Sequence, residues 1–165
     1  MGAEIDWQCI YAETLPRVFN YMLYRTGETK QAEDLTSITF VQAWQHRDRY
    51  QAQRAQPITW LLGIARHVVA NEFRHGQRCQ PIDMIANQFG SETIEEVVEQ
   101  EAMVAQLRGL VRQLPAREQE LIALKYGAGL TNREITLVTD LSESNVSTIL
   151  HRTIKKLRED WKRES

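Results

Sequence analysis

Residues 131–163 read TNREITLVTDLSESNVSTILHRTIKKLREDWKR. Thr131-Asn132-Arg133-Glu134 has capping-box spacing, a hydroxyl and, three residues on, a carboxylate that serve each other's backbone N–H groups. It opens a short helix ending near Asp140. Ser142 is placed to cap a second, longer helix running through Arg163. Val146, Ile149, Leu150, Thr153 and Leu157 recur at helical spacing and form its core-facing stripe. Two helices joined by a few residues, the second longer and basic, make a helix-turn-helix.

The opposite face of the second helix carries Ser144, Asn145, Ser147 and Thr148 near its start, then His151, Arg152, Lys155, Lys156, Arg158, Lys162 and Arg163. Short polar side chains at a helix N-terminus fit the major groove, where Asn can pair with adenine, and the cations behind them can approach phosphates. Cations at a helix C-terminus also suit the macrodipole whether or not DNA is present. The capping box and the short turn tip the balance toward DNA.

Upstream, three further helices are expected. The first runs from Asp6 to about Arg25, with Leu15, Val18, Phe19, Met22 and Leu23 at helical spacing, Pro16 as a kink or break, and Gly27 as a stop. The second runs from Lys30 to His46 with Thr29 as N-cap, its apolar side being Leu35, Ile38, Phe40, Val41 and Trp44. The third follows Pro57 and runs from Ile58 to about Arg78, its core stripe Ile58, Leu61, Leu62, Ala65, Val68, Val69 and Phe73. His67, Asn71, Arg74, His75 and Arg78 line its polar side. Arg47, Arg49, Tyr50, Arg54 and Trp60 lie in and around the loop before it. Cations beside aromatics can track a single strand and stack its bases, although both rings also suit a core, Trp60 more than Tyr50. The second helix has an amphipathic face, with Glu33, Asp34, Thr36, Ser37, Ile38, Gln42 and Gln45, of the kind that docks a partner helix or simply meets solvent.

Between these blocks, Pro81, Gly90 and scattered polar residues read as a linker. An acidic run from Glu92 to Glu101 leads into a helix ending near Leu114. Leu114-Pro115-Ala116 breaks and restarts it, and Gly127-Ala128-Gly129 ends the next helix near Tyr126. The expectation is all-α: two small helical domains, 1–80 and 107–165, joined by a linker with the start of a helix at 81–106, the C-terminal domain holding the helix-turn-helix. The charge is patterned. Residues 1–80 hold nine Lys/Arg against eight Asp/Glu, residues 81–106 none against six, and residues 107–165 eleven against eight. With a net charge of −2, counterion release on DNA gains little, so any DNA contact needs a larger partner.

No apolar run approaches the ~18 residues of a membrane span. The start of the chain has Glu4 and Asp6 and no Lys or Arg before Cys9, unlike a secretory signal, so a cytoplasmic protein without membrane contact is expected. Cys9 and Cys79 stand apart and read as reduced thiols. His46, His67, His75 and His151 have no metal-ligand spacing. With no nucleophile–base pair and no phosphate loop, neither catalysis nor a cofactor is expected.

Asp34-Leu35-Thr36 through Phe40-Val41-Gln42-Ala43-Trp44, with Trp60-Leu61-Leu62-Gly63-Ile64-Ala65-Arg66 through Phe73-Arg74, resembles the second conserved region of bacterial sigma factors. Leu114-Pro115-Ala116-Arg117-Glu118, with Glu134-Ile135 through Val146 and Leu150-His151-Arg152, resembles the fourth. Order, spacing and the missing intermediate domain are similar to the extracytoplasmic-function branch of the sigma-70 family. The resemblance implies a transcription initiation factor that binds core RNA polymerase and promoter DNA and is held by an anti-sigma factor. Glu33, Asp34, Ser37, Ile38 and Gln42 would then meet polymerase. Arg49, Tyr50, Arg54, His67, Asn71, Arg74 and Arg78 would read and melt the minus-ten element. Thr131, Ser144, Asn145, Ser147, Thr148, His151, Arg152 and Lys155 would meet the minus-thirty-five element. The chain departs from the family pattern at Ser37-Ile38 (usually Gln-Glu), at His67 and Asn71 (Asn and Asp), at Ser147 and Ile149 (Lys and Arg) and at Asp140 (a turn Gly). The alternative is a helix-turn-helix regulator acting without polymerase.

Overall fold

A computed structural model describes residues 4–75 and 94–165, the side chains of 94–98 excepted. Arg78, Cys79 and the expected linker lie outside the described residues. Seven α-helices and no strand are present among the described residues: α1 (Trp7–Thr26), α2 (Thr29–Gln45), α3 (Pro57–His75), α4 (Ile94–Arg112), α5 (Ala116–Ile122), α6 (Asn132–Val138) and α7 (Glu143–Glu164).

The helix ends follow local chemistry. The Asp6 carboxylate accepts from the backbone N–H groups of Gln8 and Cys9 at 3.1 Å and starts α1. Gly27, at φ 73°, ends it by donating to the Leu23 carbonyl at 2.8 Å; a left-handed residue at this position is where glycine has no Cβ penalty. Pro16 sits inside α1 and does not end it. Thr29 is not the N-cap of α2: it is the first helical residue, and Glu28 occupies the cap without a side-chain hydrogen bond. The acidic stretch from Glu95 to Glu101 is the first part of α4 itself.

The helices α1, α2 and α3 enclose Val18, Tyr21, Met22, Leu35, Leu61, Leu62, Ala65 and Val69, each 2 % exposed or less. Full burial of an aliphatic side chain of this size contributes ~1.5–3 kcal/mol, so this face decides how the three helices associate. The second bundle closes on Leu121, Leu124, Leu130, Ile135, Val146 and Leu150. Here α5 continues into one π-helical turn, Ala123–Gly127. The left-handed Gly129 (φ 72°) then releases the chain toward α6. The two bundles, read from sequence as separate bodies, lie against each other and share one continuous buried cluster. Arg66 on α3 pairs with Glu120 on α5 at 2.5 Å and also donates to the Val138 carbonyl at the end of α6.

Two expected core assignments change. The apolar residues of α2 do not form one inward side: Leu35 is buried, whereas Ile38, Val41 and Trp44 are 43–57 % exposed. The inward face is made instead by Ala32, Leu35, Thr36, Thr39 and Ala43. Thr36 and Thr39 tolerate burial because each hydroxyl donates to the carbonyl four residues earlier, at 2.6 and 2.8 Å. Phe73 at the end of α3 is also outside the core; its ring lies under the Arg25 guanidinium, 5.2 Å away.

Candidate partner and nucleic-acid interfaces

The outer face of α2 is the first candidate surface. Glu33, Asp34, Ser37 and Ile38 are exposed and Gln42 is half-buried. Val41 and Trp44, expected on the apolar side of α2 with Leu35, are exposed and extend this face. With Trp7, Ile10, Tyr11 and Phe40 they border an apolar groove of about 730 Å³ between α1 and α2. Tyr11 and Phe40 meet edge to face at 4.9 Å, and Arg47 lies over the Trp44 ring at 4.1 Å, so the exposed rings are held in place. At about 100° per residue, Leu35 and Trp44 point to opposite sides of one helix. That spacing was the signal in the sequence that Trp44 belongs to a partner face. An exposed apolar surface of this kind rimmed with polar groups suits a protein partner.

The second surface is the outer side of α3. His67, Asn71, Arg74 and His75 are all exposed, and the Arg74 guanidinium donates to the Asn71 amide oxygen at 2.8 Å. Contact between the bundles does not cover this stripe. In the preceding loop Arg49 and Arg54 are exposed. Tyr50 is not available for stacking: it is 7 % exposed. Its ring lies 5.6 Å from Trp7 and 5.1 Å from Trp60, and its hydroxyl donates to the Ala55 carbonyl at 3.0 Å. Burial pushes the Tyr50 phenol above its usual pKa. The ring therefore shapes the loop from inside, while its two arginines reach outward.

The third surface is the start of α7. The Thr131 hydroxyl accepts from the Glu134 N–H at 3.1 Å, and the Glu134 carboxylate accepts from the Thr131 N–H at 2.7 Å, so the capping box is complete. The Ser142 hydroxyl accepts from the Asn145 N–H at 3.1 Å. Val146, Leu150, Thr153 and Leu157 hold α7 down, Ile149 being half-buried. Ser144, Asn145, Ser147, Thr148, His151, Arg152 and Lys155 are exposed together on the other side. Ser147 is tied within the motif: it accepts from the Asn132 amide at 3.0 Å, and Asn132 accepts in turn from Lys125 at 2.9 Å. No local pattern signals that chain of bonds, because it depends on how α6 crosses α7.

Among the described residues no group of His, Cys, Asp and Glu is arranged to hold a metal ion, and no helix is long and apolar enough to cross a membrane. Cys9 is exposed, and the neighbouring Glu13 carboxylate raises its thiol pKa, which keeps it in the less reactive protonated form.

Comparison with known proteins matches residues 10–79 to sigma-70 region 2 and residues 110–159 to sigma-70 region 4. The chain belongs to the sigma-70 family. It is 28 % identical over 151 residues to the ECF RNA polymerase sigma factor BldN of Streptomyces coelicolor, covering 90 % of this chain and 57 % of BldN. It is 26 % identical over 151 residues to the ECF sigma factor SigM of Bacillus subtilis, covering 90 % and 91 %. The fold is similar to that of the sigma factor RpoE from Bartonella quintana, solved in complex with the anti-sigma factor NepR, with a TM-score of 0.75 at 18 % identity over 95 % of this chain and 97 % of that one. Sigma factors are transcription initiation factors and not enzymes, and a regulator working through its helix-turn-helix alone is not favoured, since both conserved regions are present.

Proposed function

We propose that the chain binds core RNA polymerase through the outer face of α2 and directs it to promoters whose two elements are read by separate helices. The observation that carries this reading is that three chemically different surfaces are exposed and do not overlap: an apolar groove between α1 and α2, with Glu33 and Asp34 exposed on α2, a cation- and amide-bearing stripe on α3, and a short-side-chain polar face at the start of α7. Glu33, Asp34, Ser37, Ile38, Val41, Gln42 and Trp44 suit a partner helix. His67, Asn71 and Arg74, with Arg49 and Arg54, suit an opened minus-ten strand, whose bases their cations and amides can hold once unstacked. Ser144, Asn145, Thr148 and His151 suit base edges of a duplex minus-thirty-five element, with Thr131, Arg152 and Lys155 near its phosphates.

The apolar groove is also a surface that an anti-sigma factor can cover, as anti-sigma factors do bind similar sigma factors. Action at promoters places the protein in the cytoplasm. The test is run-off transcription with purified core polymerase on a pool of genomic promoters, with the start sites mapped. Defined starts that need both polymerase and this chain are the expected result. A chain that shifts duplex DNA by itself but directs no starts refutes the reading.

A further inference from the structure

We propose that Trp7, the first residue of α1, is a positioning residue for strand capture: acting through the Tyr50 ring, it sets where the loop between α2 and α3 presents Arg49 and Arg54. This role rests on the reading of those two arginines as contacts to the opened minus-ten strand. Residues 46–56 contain one short 3-10 turn, Arg47–Arg49, and no other regular element. The backbone bonds of the loop reach only near neighbours: Arg49 donates to the His46 carbonyl at 2.9 Å, Tyr50 to Arg47 at 3.1 Å and Arg54 to Gln51 at 3.0 Å. Bonds of that range shape the turns and leave the seat of the loop on the bundle to its side chains. Of residues 46–56 only Tyr50 is buried. Its ring meets Trp7 edge-on at 5.6 Å, the planes at 68°, and Trp60 at 5.1 Å, the planes at 45°. Trp7 and Trp60 stand 6.0 Å apart, so the three rings close a triangle. Trp60 lies in the first turn of α3, directly after the loop, whereas Trp7 reaches it from another helix. Edge contact between aromatic rings is directional, so Trp7 sets the tilt of the Tyr50 ring as well as its depth.

Trp7 is not what holds the helices together. They associate through residues such as Val18, Met22, Leu35, Leu62 and Val69, each 2 % exposed or less. The first turn of α1 stands at the margin of that core: Gln8 and Cys9 are exposed and Trp7 is half-buried. The turn is nevertheless well defined. Asp6 accepts from the N–H groups of Gln8 and Cys9, both at 3.1 Å, and Trp7 itself donates to the Ile5 carbonyl at 3.1 Å. A capped helix start therefore presents a large ring from a fixed origin to a loop that has no regular structure of its own to brace it. Arg49 precedes Tyr50 in the chain, so a displaced Tyr50 ring moves the arginine's backbone with it. A supporting contact that is loose by about 1 Å is enough to spoil the geometry of the group it carries.

The experiment uses holoenzyme assembled from core polymerase and the full chain. Trp7 also borders the α1–α2 groove, so each form of the chain is kept in excess of its separately measured Kd for polymerase, and a weaker hold there does not enter. The probe is a single-stranded non-template oligonucleotide spanning the minus-ten element of a promoter mapped by run-off transcription, and its binding is titrated over a range of salt. The forms are wild type, Trp7→Ala, Trp7→Leu, Trp7→Phe, Arg49→Ala/Arg54→Ala, and Trp7→Leu combined with both arginine changes. On a single strand each neutralised phosphate contributes about 0.7 to the slope of log affinity against log salt, so loss of two arginine contacts should flatten it by about 1.4. Trp7→Ala and Trp7→Leu are expected to flatten the slope by as much as the arginine changes do, and to weaken binding about tenfold or more. The combined form should lose little beyond either parent, a non-additivity that marks action through a shared element. Trp7→Phe keeps an edge for Tyr50 and should stay near wild type. A ring with a merely structural role would lower the melting temperature and leave the salt slope in place. A wild-type slope in Trp7→Leu, losses that add to those of the arginines, or no rescue by phenylalanine each overturn the proposal. Leucine keeps apolar bulk, so if the alanine form unfolds the leucine form decides, and unfolding of both overturns it. If Arg49→Ala/Arg54→Ala binds with wild-type slope and affinity while Trp7 is intact, the strand-holding reading of the loop fails, and the role of Trp7 fails with it.

Discussion

The Asn132 side chain donates to the Ser147 hydroxyl at 3.0 Å, so the first residue of α6 fixes a residue in the second turn of α7. Ser147 is thereby engaged with protein, and on the proposed reading of α7 the base contacts fall to its neighbours. Ser147→Ala should cost about 0.5–1.5 kcal/mol of stability and leave base preference at the upstream element unaltered. Asn145→Ala should lower activity at promoters that depend on that element, a good base contact being worth ~1–3 kcal/mol. Run-off transcription over single-base promoter variants separates the two. A shift in base preference in the Ser147 variant would make that hydroxyl a reader after all.

Removing the Thr131 hydroxyl breaks the capping box at its acceptor and frees the Glu134 N–H. Thr131→Ala should destabilise the protein by about 1 kcal/mol, seen as a fall of roughly 2–4 °C in melting temperature for a chain of this size. Calorimetry checks it, and an unchanged midpoint would mean that the box contributes nothing net.

Trp44 is 54 % exposed and Val41 57 %, so changing them should barely move stability, within about 0.5 kcal/mol. If α2 docks polymerase, Trp44→Ala should weaken that binding by 2 kcal/mol or more, roughly thirtyfold, as expected of an aromatic anchor. Asp34→Lys should weaken it as well, while leaving the melting curve in place. Titration of labelled core polymerase measures both, and wild-type affinity in the two variants removes α2 as the docking face.

Tyr50 gives the opposite pattern. Tyr50→Ala should cost about 3–5 kcal/mol, because a buried ring leaves a cavity. Tyr50→Phe should cost only the bond to the Ala55 carbonyl, about 1 kcal/mol, with open-complex formation unaffected. Permanganate footprinting of the melted region tests the second half. Loss of melting in the phenylalanine variant would show that the hydroxyl reaches DNA.

Much of the fold was legible because its signals are local. Asp6, Gly27, Thr131 and Ser142 mark helix ends through groups that act within four residues, and the stripes on α3 and α7 repeat with the helical period. The misread residues fail for a shared reason. Val41, Trp44 and Tyr50 are apolar or aromatic, and composition alone does not say whether such a residue faces a core or a partner. Helical phase answers for Trp44. No local feature answers for Tyr50, whose burial depends on Trp7, far away in sequence. The contact between bundles was illegible altogether, because nothing local in the sequence ties Arg17, Arg66 and Arg112 to the carbonyls of Ala128, Val138 and Thr26 that they meet.

The ring cluster beneath the loop that carries Arg49 and Arg54 has a practical corollary. Of the four tryptophans in the chain, Trp7 and Trp60 lie 6.0 Å apart and both contact Tyr50. Indole emission is sensitive to its immediate surroundings, so half of the native chromophores already sit at the base of Arg49 and Arg54. Seizure of an unpaired strand by that loop should register as an optical change in the unlabelled protein, on the timescale of melting itself.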